Sequence, residues 1–519
     1  LYRHITRVFY RLDGMGFLPK DRFHIWKVDI AGGRTRQLTK GKYDEFQPAV
    51  SPDGKWIAFV SNRSKDPDVD YLRDDIFLIP SRGGKERRVP TPAGPIMAPT
   101  FSPDGRKIAY VGHAKPDDPW GVENFHVWTV GLRGRPAAKD LISKFDRHAD
   151  DSTIADIGEG FGVPPLFWSP DGKRIFFPSS DTGSTHIFYV PTKGGLPTRI
   201  TRKNCHIKAF DMNGRMKTIA AVYSDLSTIT DLHLFPAIHN GDNQTEKLAA
   251  PNKKLLAEIT MPSAREVWFK AHDGTELQGW LVTPPGFNRK RKYPAILEIH
   301  GGPRTQYGNT FFHEMNWLAS KGYVVFYTNP RGGTGRGETF ADAISGAWGE
   351  IDYLDCMAAA DYLEKLSYIN KNRLGVTGGS YGGYMTNWIV GHTNRFKAAV
   401  TQRSVVNLKS FFGSSDIGYS LNREFGNHPW KDPEKYRKCS PLTYAGNIKT
   451  PLLIIHSESD LRCGIEQAEE LFATLKLMRK KVEFVRFPEE PHGLSRHGRP
   501  DRRIARLEWI LKWFDKYLK

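Results

Sequence analysis

Apolar and polar residues alternate over short stretches in the first half of the chain, and Asp-Gly turns separate these stretches. The turns are Ser51-Pro52-Asp53-Gly54, Ser102-Pro103-Asp104-Gly105 and Ser169-Pro170-Asp171-Gly172, and the alternating stretches after them are Trp56 to Val60, Ile108 to Val111 and Ile175 to Phe177. Alternation with a period of two is typical of half-buried strands, and glycine supplies the positive φ that a tight hairpin requires. The pattern therefore predicts a series of β-hairpins.

A second repeated element lies between these turns. Its copies are His24-Ile25-Trp26, Asp75-Ile76-Phe77, His126-Val127-Trp128 and His186-Ile187-Phe188, with a weaker turn at Asp211 to Gly214 that leads into Thr218 to Tyr223. Two elements that recur in the same order, with several strands in each unit, are typical of β-propeller blades. We predict an incomplete β-propeller domain of four to five blades over residues 1–258, with the fifth blade around Leu232 to Ile259. A β-sandwich of unrelated hairpins is the alternative, but it does not predict the shared order.

Strands alternate with helices in the second half, from residue 259 to residue 519. The predicted strands are Ala295 to Ile299, Val324 to Thr328, Leu374 to Thr377, Ala398 to Thr401, Leu452 to His456 and Val482 to Phe487; the predicted helices include Ile351 to Leu366, Glu466 to Arg479 and Arg502 to Leu518. Short, wholly apolar strands between helices indicate a mostly parallel sheet that is covered on both faces. We therefore predict an α/β-hydrolase domain, a doubly wound sheet, over residues 259–519.

A nucleophile-elbow motif follows one of these strands. In Gly378-Gly379-Ser380-Tyr381-Gly382 the serine stands between a strand and a helix, and the flanking glycines allow the close backbone approach that exposes its hydroxyl. Ser380 is therefore the candidate nucleophile.

Two further strands end in residues that complete a catalytic triad in the order Ser, Asp, His. Asp460 follows the strand Leu452 to His456, and His492 follows the strand Val482 to Phe487. Glu458 is an alternative to Asp460, and His497 is an alternative to His492. The residues alone leave both alternatives open, whereas His456 lies inside an apolar strand and fits a packed core position.

The charge that develops on the attacked carbonyl oxygen needs hydrogen-bond donors. The backbone N–H of Tyr381, directly after the nucleophile, is one candidate. The turn His300-Gly301-Gly302-Pro303 supplies the other, for which we select Gly302.

The composition argues against two classes of function, nucleic-acid binding and membrane insertion. The formal net charge is +18, but the basic residues are scattered and no aromatic-rich basic stripe accompanies them, which argues against nucleic-acid binding. No apolar run reaches the ~20 residues that a membrane span needs. The four cysteines have no metal-ligand spacing and are too few for a disulfide framework, which favours the cytoplasm.

Taken together, these motifs resemble the prolyl oligopeptidase family of serine peptidases, and in particular its acylaminoacyl-peptidase-like branch. The resemblance covers nearly the whole chain and rests on the elbow, on the turn at residues 300–303, on Asn329-Pro330-Arg331-Gly332, on Asp460-Leu461-Arg462-Cys463 and on Pro491-His492-Gly493-Leu494. It implies Ser380 as the nucleophile, Asp460 as the orienting acid and His492 as the base, with no metal or cofactor. It also implies that Arg462 binds the substrate carbonyl beside the cleavage site, or a carboxylate.

The resemblance further implies hydrolysis of short peptides through an acyl-enzyme, by an acylaminoacyl peptidase or an oligopeptidase. A dipeptidyl peptidase or a small-acyl esterase would use the same groups, and an inactive binding scaffold would have to have lost one of them. No Glu-Glu pair suited to a substrate amino group is apparent in the blades, which favours the acylated substrate.

Members of this family have about seven blades, and the chain begins at Leu1 within a repeat. An open ring would leave strand edges unpaired. We therefore expect a separate N-terminal propeller fragment of the same polypeptide to complete the ring, and the sequence is also compatible with a homo-oligomer.

Overall fold

The computed structural model of the protein describes residues 1–118, 121–134, 137–157, 162, 166–213, 218–236 and 245–519. The first part of the chain is β-structure. Its strands are β1 (Arg11–Leu12), β2 (Gly16–Phe17), β3 (Trp26–Val28), β4 (Thr35–Gln37), β5 (Phe46–Val50), β6 (Trp56–Ser61), β7 (Asp75–Pro80), β8 (Arg87–Val89), β9 (Ile96–Phe101), β10 (Lys107–Gly112), β11 (His126–Gly131), β12 (Lys139–Asp140), β13 (Phe167–Trp168), β14 (Arg174–Asp181), β15 (Ser184–Pro191), β16 (Thr198–Arg199), β17 (His206–Met212), β18 (Thr218–Ser224), β19 (Asp231–Pro236) and β20 (Glu246–Ala249).

These strands form successive antiparallel groups. Strands β5 to β8 form one four-stranded sheet and β9 to β12 form another, while β13 to β16 and β17 to β20 share a single sheet through one parallel pairing of β15 with β17. Strands β3 and β4 pair only with each other, and β1 and β2 form a separate hairpin at residues 11–17. We call β3 to β20 the N-terminal sheets.

The prediction of a fifth repeat around residues 232–259 is wrong. Strands β19 and β20 pair with each other, and β19 also pairs with β18, so both belong to the group that begins at β17. The chain then forms a helix, α1 (Lys253–Glu258), rather than a strand. Residues 237–244 of the predicted repeat, and Gly214 of the weaker turn, lie outside the described residues.

The three Asp-Gly turns have one common geometry, which explains their repetition. In the first turn the Ser51 hydroxyl donates to Asp53 Oδ1 at 2.7 Å and accepts the Trp56 N–H at 2.9 Å. The same bonds recur at Ser102 and at Ser169, and the turn glycines have φ of 70°, 66° and 66°. Serine, aspartate and glycine are therefore each required by the turn, since the side chains replace ladder bonds and glycine accepts the left-handed backbone.

The second part of the chain forms one eight-stranded sheet with helices on both faces. Its strands are β21 (Ser263–Lys270), β22 (Glu276–Thr283), β23 (Tyr293–Ile299), β24 (Val324–Asn329), β25 (Ile369–Gly379), β26 (Ala398–Gln402), β27 (Leu452–Ser457) and β28 (Val482–Phe487). Its helices are α2 (His313–Ser320), α3 (Glu338–Asp342), α4 (Ile351–Lys365), α5 (Tyr381–His392), α6 (Leu408–Ser414), α7 (Leu421–Phe425), α8 (Pro433–Lys438), α9 (Ile465–Leu477), α10 (Leu494–His497) and α11 (Pro500–Leu518), with 3-10 turns at Gly418–Ser420 and Pro441–Asn447.

The strand order is β21-β22-β24-β23-β25-β26-β27-β28, and all pairs from β24 to β28 are parallel. The mostly parallel sheet that the sequence predicts is therefore present. The two antiparallel strands β21 and β22 at one edge were not predicted. Alternate residues of the strands enter two separate apolar cores, one with α4, α5 and α9 and the other with α2 and α11. The carboxyl ends of β25 to β28 lie side by side, which is where parallel sheets hold their sites.

Buried polar contacts join the N-terminal sheets to the eight-stranded sheet. Asp156 accepts the backbone N–H of His313 at 2.7 Å and of Glu314 at 2.8 Å, at the start of α2. Gln306 donates to the Thr153 hydroxyl at 2.7 Å and accepts the Gly183 N–H at 3.0 Å. No helix within the described ranges is long and apolar enough to cross a membrane.

The packing of α11 generates a stability prediction. Phe514 is fully buried, and it lies so close to β25 that a Cβ on Gly375 would be 2.7 Å from its ring. Phe514→Ala should lower the free energy of unfolding by about 3–5 kcal/mol, because it removes buried apolar area and leaves a cavity. Guanidinium unfolding followed by tryptophan fluorescence measures the change. Ile504→Ala on the same helix is the control, since Ile504 is 58% exposed; equal effects of the two variants would contradict this packing.

Candidate active site

Ser380 lies in a sharp turn between β25 and α5. Its backbone has φ 62° and ψ −122°, a left-handed conformation that costs about 1 kcal/mol or more in a residue other than glycine. The Ser380 N–H donates to the Gln402 carbonyl at 3.0 Å, and the Ser380 carbonyl accepts the Tyr384 N–H at 2.9 Å. These bonds hold the strained turn between β26 and the first turn of α5.

The glycines of the elbow allow close packing around the serine. A Cβ on Gly382 would lie 2.0 Å from the Ile299 carbonyl oxygen, and a Cβ on Gly378 would lie 2.6 Å from the backbone of Gly382. Any side chain at either position would push β23 away from α5. The turn therefore needs glycine at both positions.

Asp460 and His492 are in direct contact. Asp460 Oδ2 lies 2.7 Å from His492 Nδ1, and Asp460 Oδ1 accepts the backbone N–H of Cys463 at 2.8 Å and of Arg462 at 3.0 Å. Both side chains are buried. Asp460 thus holds the imidazole through Nδ1, and in a Ser-His-Asp arrangement the other ring nitrogen, Nε2, serves the nucleophile.

Ser380 and His492 line one cavity of about 470 Å³ at the carboxyl end of the sheet. Its apolar wall includes Trp348, Tyr381, Val405, Phe411 and Ile417. Gly121, Ile154, Ala155 and Asp156 close it from the N-terminal sheets. The structure therefore brings together the serine, the histidine and a partly apolar space that the N-terminal sheets cover.

The environment of His492 favours a neutral imidazole. Burial lowers the pKa of His492 well below its ordinary value, and the positive charges of Arg403 and Arg462 lower it further. A buried imidazole among cations holds an extra proton poorly.

The two alternatives for the acid and the base lie elsewhere. Glu458 forms an exposed ion pair with Arg486 at 2.9 Å. His497, on α10, contacts Gly493 rather than Asp460: its Nδ1 would lie 2.9 Å from a Cβ at that position. His456 is buried as expected, but its Nε2 donates to the Cys463 carbonyl at 2.6 Å and lies 3.6 Å from Asp460.

The turn at residues 300–303 lies directly against the nucleophile. A Cβ on Gly301 would be 3.2 Å from Ser380 Cβ, and Gly302 has φ 121°. The Gly301 carbonyl accepts the Thr305 hydroxyl at 2.7 Å, which fixes the turn. Gly302 and Tyr381 both line the cavity, so the two candidate oxyanion donors lie in the same cavity as Ser380.

Arg462 lines the cavity and is paired with a carboxylate. Its Nε and Nη2 donate to the two oxygens of Asp416 at 2.6 and 3.1 Å. Asp416 was not among the sequence candidates, because nothing in its neighbourhood in the sequence indicates the contact.

The hairpin at residues 11–17 brings one more carboxylate to the site. Asp13 accepts the backbone N–H of Leu461 at 3.0 Å and of His492 at 3.1 Å, and its own N–H donates to Asp416 at 2.8 Å. One side chain of the hairpin therefore binds the loops that carry both Asp460 and His492. The sequence pattern does not indicate this role of Asp13, since a turn aspartate is common in hairpins.

The comparisons with known proteins agree with this geometry. The profile of the prolyl oligopeptidase family matches residues 309–519. The uncharacterized peptidase YuxL of Bacillus subtilis is 39% identical over 512 residues, which are 98% of this chain and 76% of YuxL. The chain belongs to the prolyl oligopeptidase family. It is a serine-type peptidase.

Three further proteins resemble the chain at lower identity. Dipeptidyl-peptidase 5 of Aspergillus fumigatus is 26% identical over 498 residues, and the chain spans 64% of its length. Among solved structures, the acylaminoacyl peptidase of Pyrococcus horikoshii superposes with a TM-score of 0.84 at 26% identity, over 100% of this chain and 78% of that one. A puromycin-hydrolyzing peptidase of Mycobacterium tuberculosis has a TM-score of 0.71 at 21% identity, which shows a shared fold.

No group of three or more His, Cys, Asp or Glu side chains is arranged to hold a metal ion in the part of the chain that the structure describes. All four cysteines are buried and unpaired.

The burial of the thiols generates a second prediction. Burial raises the pKa of Cys463, which lines the cavity, well above its ordinary value, and it also raises the pKa values of Cys205, Cys356 and Cys439. We expect all four thiols to react with a disulfide reagent at pH 8 only after denaturation, because the thiolate is the reactive form. Absorbance of the released thiolate measures the reaction, and one thiol that reacts rapidly in the native protein would contradict the result.

Proposed function

We propose that the protein hydrolyses short peptides by acyl transfer to water, with Ser380 as the nucleophile, His492 as the base and Asp460 as the orienting acid. The observation that carries the proposal is the 2.7 Å contact of Asp460 with His492 in a cavity that Ser380 also lines. His492 takes the proton of Ser380 as the hydroxyl attacks the peptide carbonyl, and then gives it to the leaving amine. Water releases the acyl-enzyme by the same route.

The oxyanion of the tetrahedral intermediate is bound by the backbone N–H groups of Gly302 and Tyr381. Gly302, whose φ is 121°, and Tyr381, directly after the strained Ser380, line the same cavity as the nucleophile, which supports these roles. Such donors, fixed before the reaction, stabilise the charge as it develops. Arg462 is held by Asp416 at the cavity wall, from which it can donate to a substrate carbonyl or carboxylate.

A substrate of limited size is supported by the N-terminal sheets. We assign residues 1–258 to a partial β-propeller and residues 259–519 to an α/β-hydrolase domain, with a further propeller fragment of the same polypeptide as a partner. Residues 121 and 154–156 of the first unit line the cavity, so a folded protein would not enter beside them.

The charges on this side of the cavity bear on whether the amino end of the substrate is free or acylated. Among the described residues that line it from the N-terminal sheets, Asp156 is the one acidic side chain, and both its oxygens accept backbone N–H groups. Within that described lining, a free substrate amine would meet no carboxylate that lacks hydrogen-bond partners. This favours an acylaminoacyl peptidase or oligopeptidase over a dipeptidyl peptidase, the activity named for the Aspergillus relative.

The central test replaces the nucleophile. Ser380→Ala should reduce hydrolysis of an N-acetylated peptide chromogen by at least about a thousandfold, because the variant lacks the attacking oxygen. The rates of wild type and variant are compared on N-acetylated, free-amine dipeptidyl and internally blocked substrates. Turnover that Ser380→Ala retains would contradict the proposal, and a preference of the wild type for the free-amine substrate would move the activity to a dipeptidyl peptidase.

The pH dependence tests the role of His492. Activity requires the neutral imidazole and is lost as the pH falls through the pKa of His492, so the lowered pKa places the acidic limb of kcat/KM below the ordinary range of histidine. The negative charge of Asp13 raises this pKa. Asp13→Asn keeps an acceptor for the His492 N–H but removes the charge, so the limb should move to lower pH. Rates on an uncharged ester measure the shift.

The matched control for this experiment is Asp53→Asn, since Asp53 is an exposed turn residue. Its acidic limb should coincide with that of the wild type. A limb that moves to higher pH in Asp13→Asn would contradict the assignment of His492 as the base.

A further inference from the structure

One wall of the catalytic cavity carries a cluster of charged side chains that the proposed mechanism does not use. We call Glu298, Glu314, Arg403 and Arg506 the charged cluster; all four line the cavity with Ser380 and His492. They come from β23, α2, the end of β26 and α11, so the fold brings them together from four separate elements.

Two members of the cluster, Arg506 and Glu314, form an ion pair with each other. Arg506 donates to Glu314 at 2.7 Å and to the Gln402 side chain at 2.5 Å, which pairs one cation with one carboxylate. Burial, together with the nearby charge of Glu314, raises the pKa of Glu298 well above its ordinary value. Its Oε2 has no hydrogen-bond partner among the described residues.

Arg403 is the fourth member; the negative charges of Glu314 and Asp460 act on it, but neither carboxylate forms an ion pair with it. Within the described ranges its guanidinium makes no hydrogen bond and no ion pair, and its buried Nε is unsatisfied. Three other arginines that line the cavity each hold a carboxylate: Arg304 pairs with Glu424, Arg462 with Asp416, and Arg506 with Glu314. A buried cation without an ion-pair partner is costly in free energy unless a ligand supplies an opposite charge.

The backbone holds Arg403 in this position. It follows β26 directly, its φ is 40°, and its N–H donates to the Ile455 carbonyl at 2.8 Å. A Cβ on Gly379 would lie 2.7 Å from the Arg403 Cζ, so the guanidinium packs against the residue before the nucleophile. A left-handed arginine is strained, and such strain often marks a functional position.

Arg403 remains charged at neutral pH and acts on the base. Burial and the charges of Arg496 and Arg506 lower its pKa to about 10, which still leaves the cation protonated at pH 7. After burial, the charge of Arg403 is the largest cause that lowers the pKa of His492. The free cation is thus close to the group that protonates the leaving amine.

We propose that Arg403 binds a carboxylate on the leaving residue of the peptide, and so selects substrates that are cleaved next to a residue carrying a free carboxylate. The inference rests on the proposed function. A guanidinium binds a carboxylate through two parallel hydrogen bonds. A peptide offers this group on the leaving side in two ways: as the α-carboxylate of its last residue, or as an Asp or Glu side chain.

The test compares the hydrolysis of matched substrates by the full chain. N-acetyl-Phe-Ala with a free carboxylate is compared with its C-terminal amide, and N-acetyl-Phe-Glu-amide with N-acetyl-Phe-Gln-amide. The first pair detects the α-carboxylate and the second detects a side-chain carboxylate. The wild type should favour the charged member of at least one pair by about tenfold to a hundredfold in kcat/KM, as expected for a charge-assisted hydrogen-bond pair.

Arg403→Met should bring this ratio close to one, whereas Arg403→Lys should retain part of it. Because the ratio is formed within each variant, a change in overall activity cancels. Arg486→Met is the matched control: it removes an arginine that is exposed on β28 and lies outside the cavity wall, and it should keep the wild-type ratio.

The possible results distinguish a failure of this inference from a failure of the proposed function. Hydrolysis that depends on Ser380, with the same ratio in wild type and Arg403→Met, would overturn this inference and leave the proposed function intact. A lack of Ser380-dependent hydrolysis of all four peptides would overturn the proposed function and the inference together. Loss of the preference in Arg403→Met, but not in Arg486→Met, supports the inference.

Discussion

The close approach of β23 to the first turn of α5 is the constraint on which the rest of the site depends. The Ile299 carbonyl occupies space that a side chain at residue 382 would need, and the turn after β23 then lies against the Ser380 side chain. This one contact between β23 and α5 therefore sets both the exposure of the serine hydroxyl and the position of the Gly301-Gly302 backbone. The strain at Ser380 is sustained because bonds from β26 and α5 fix the residue on both sides.

Contacts from the N-terminal part of the chain extend this arrangement to the other half of the site. Asp13 binds the amides of Leu461 and His492, and Asp156 binds the first amides of α2. Both carboxylates accept hydrogen bonds from backbone N–H groups at the start of a loop or helix, where such donors have no partner within a helix. The geometry of the acid and base loops is therefore a property of both parts of the chain.

The sequence predicts those features that depend on local or periodic order. The Ser-Pro-Asp-Gly turns, the strands from β23 to β28 and the elbow are each encoded within a few residues, and the structure contains them. The pairing of Asp460 with His492 follows from strand ends that must lie side by side in a parallel sheet. The fifth repeat failed because the alternation at β19 and β20 shows a strand but not the sheet to which it belongs.

The features that the sequence did not predict depend on contacts between distant residues. Nothing near Asp13 or Asp416 in the sequence distinguishes them from other acidic turn residues, and their roles appear only when the hairpin and the loop after α6 meet the site. Arg403 is a different case, because its distinguishing property is that its guanidinium has no hydrogen-bond or ion-pair partner among the described residues, which only the three-dimensional arrangement reveals.

The unpaired charge of Arg403 also couples substrate binding to the strength of the base. In the free enzyme this cation disfavours a protonated His492, since like charges in a buried site repel strongly. A bound carboxylate would compensate the cation, and the pKa of His492 would then rise toward its ordinary value. The imidazole would become a better proton acceptor when the proposed substrate is in place. A neutral leaving residue would leave the repulsion unchanged, so the same contact that selects the substrate would also favour the attack of Ser380 on it.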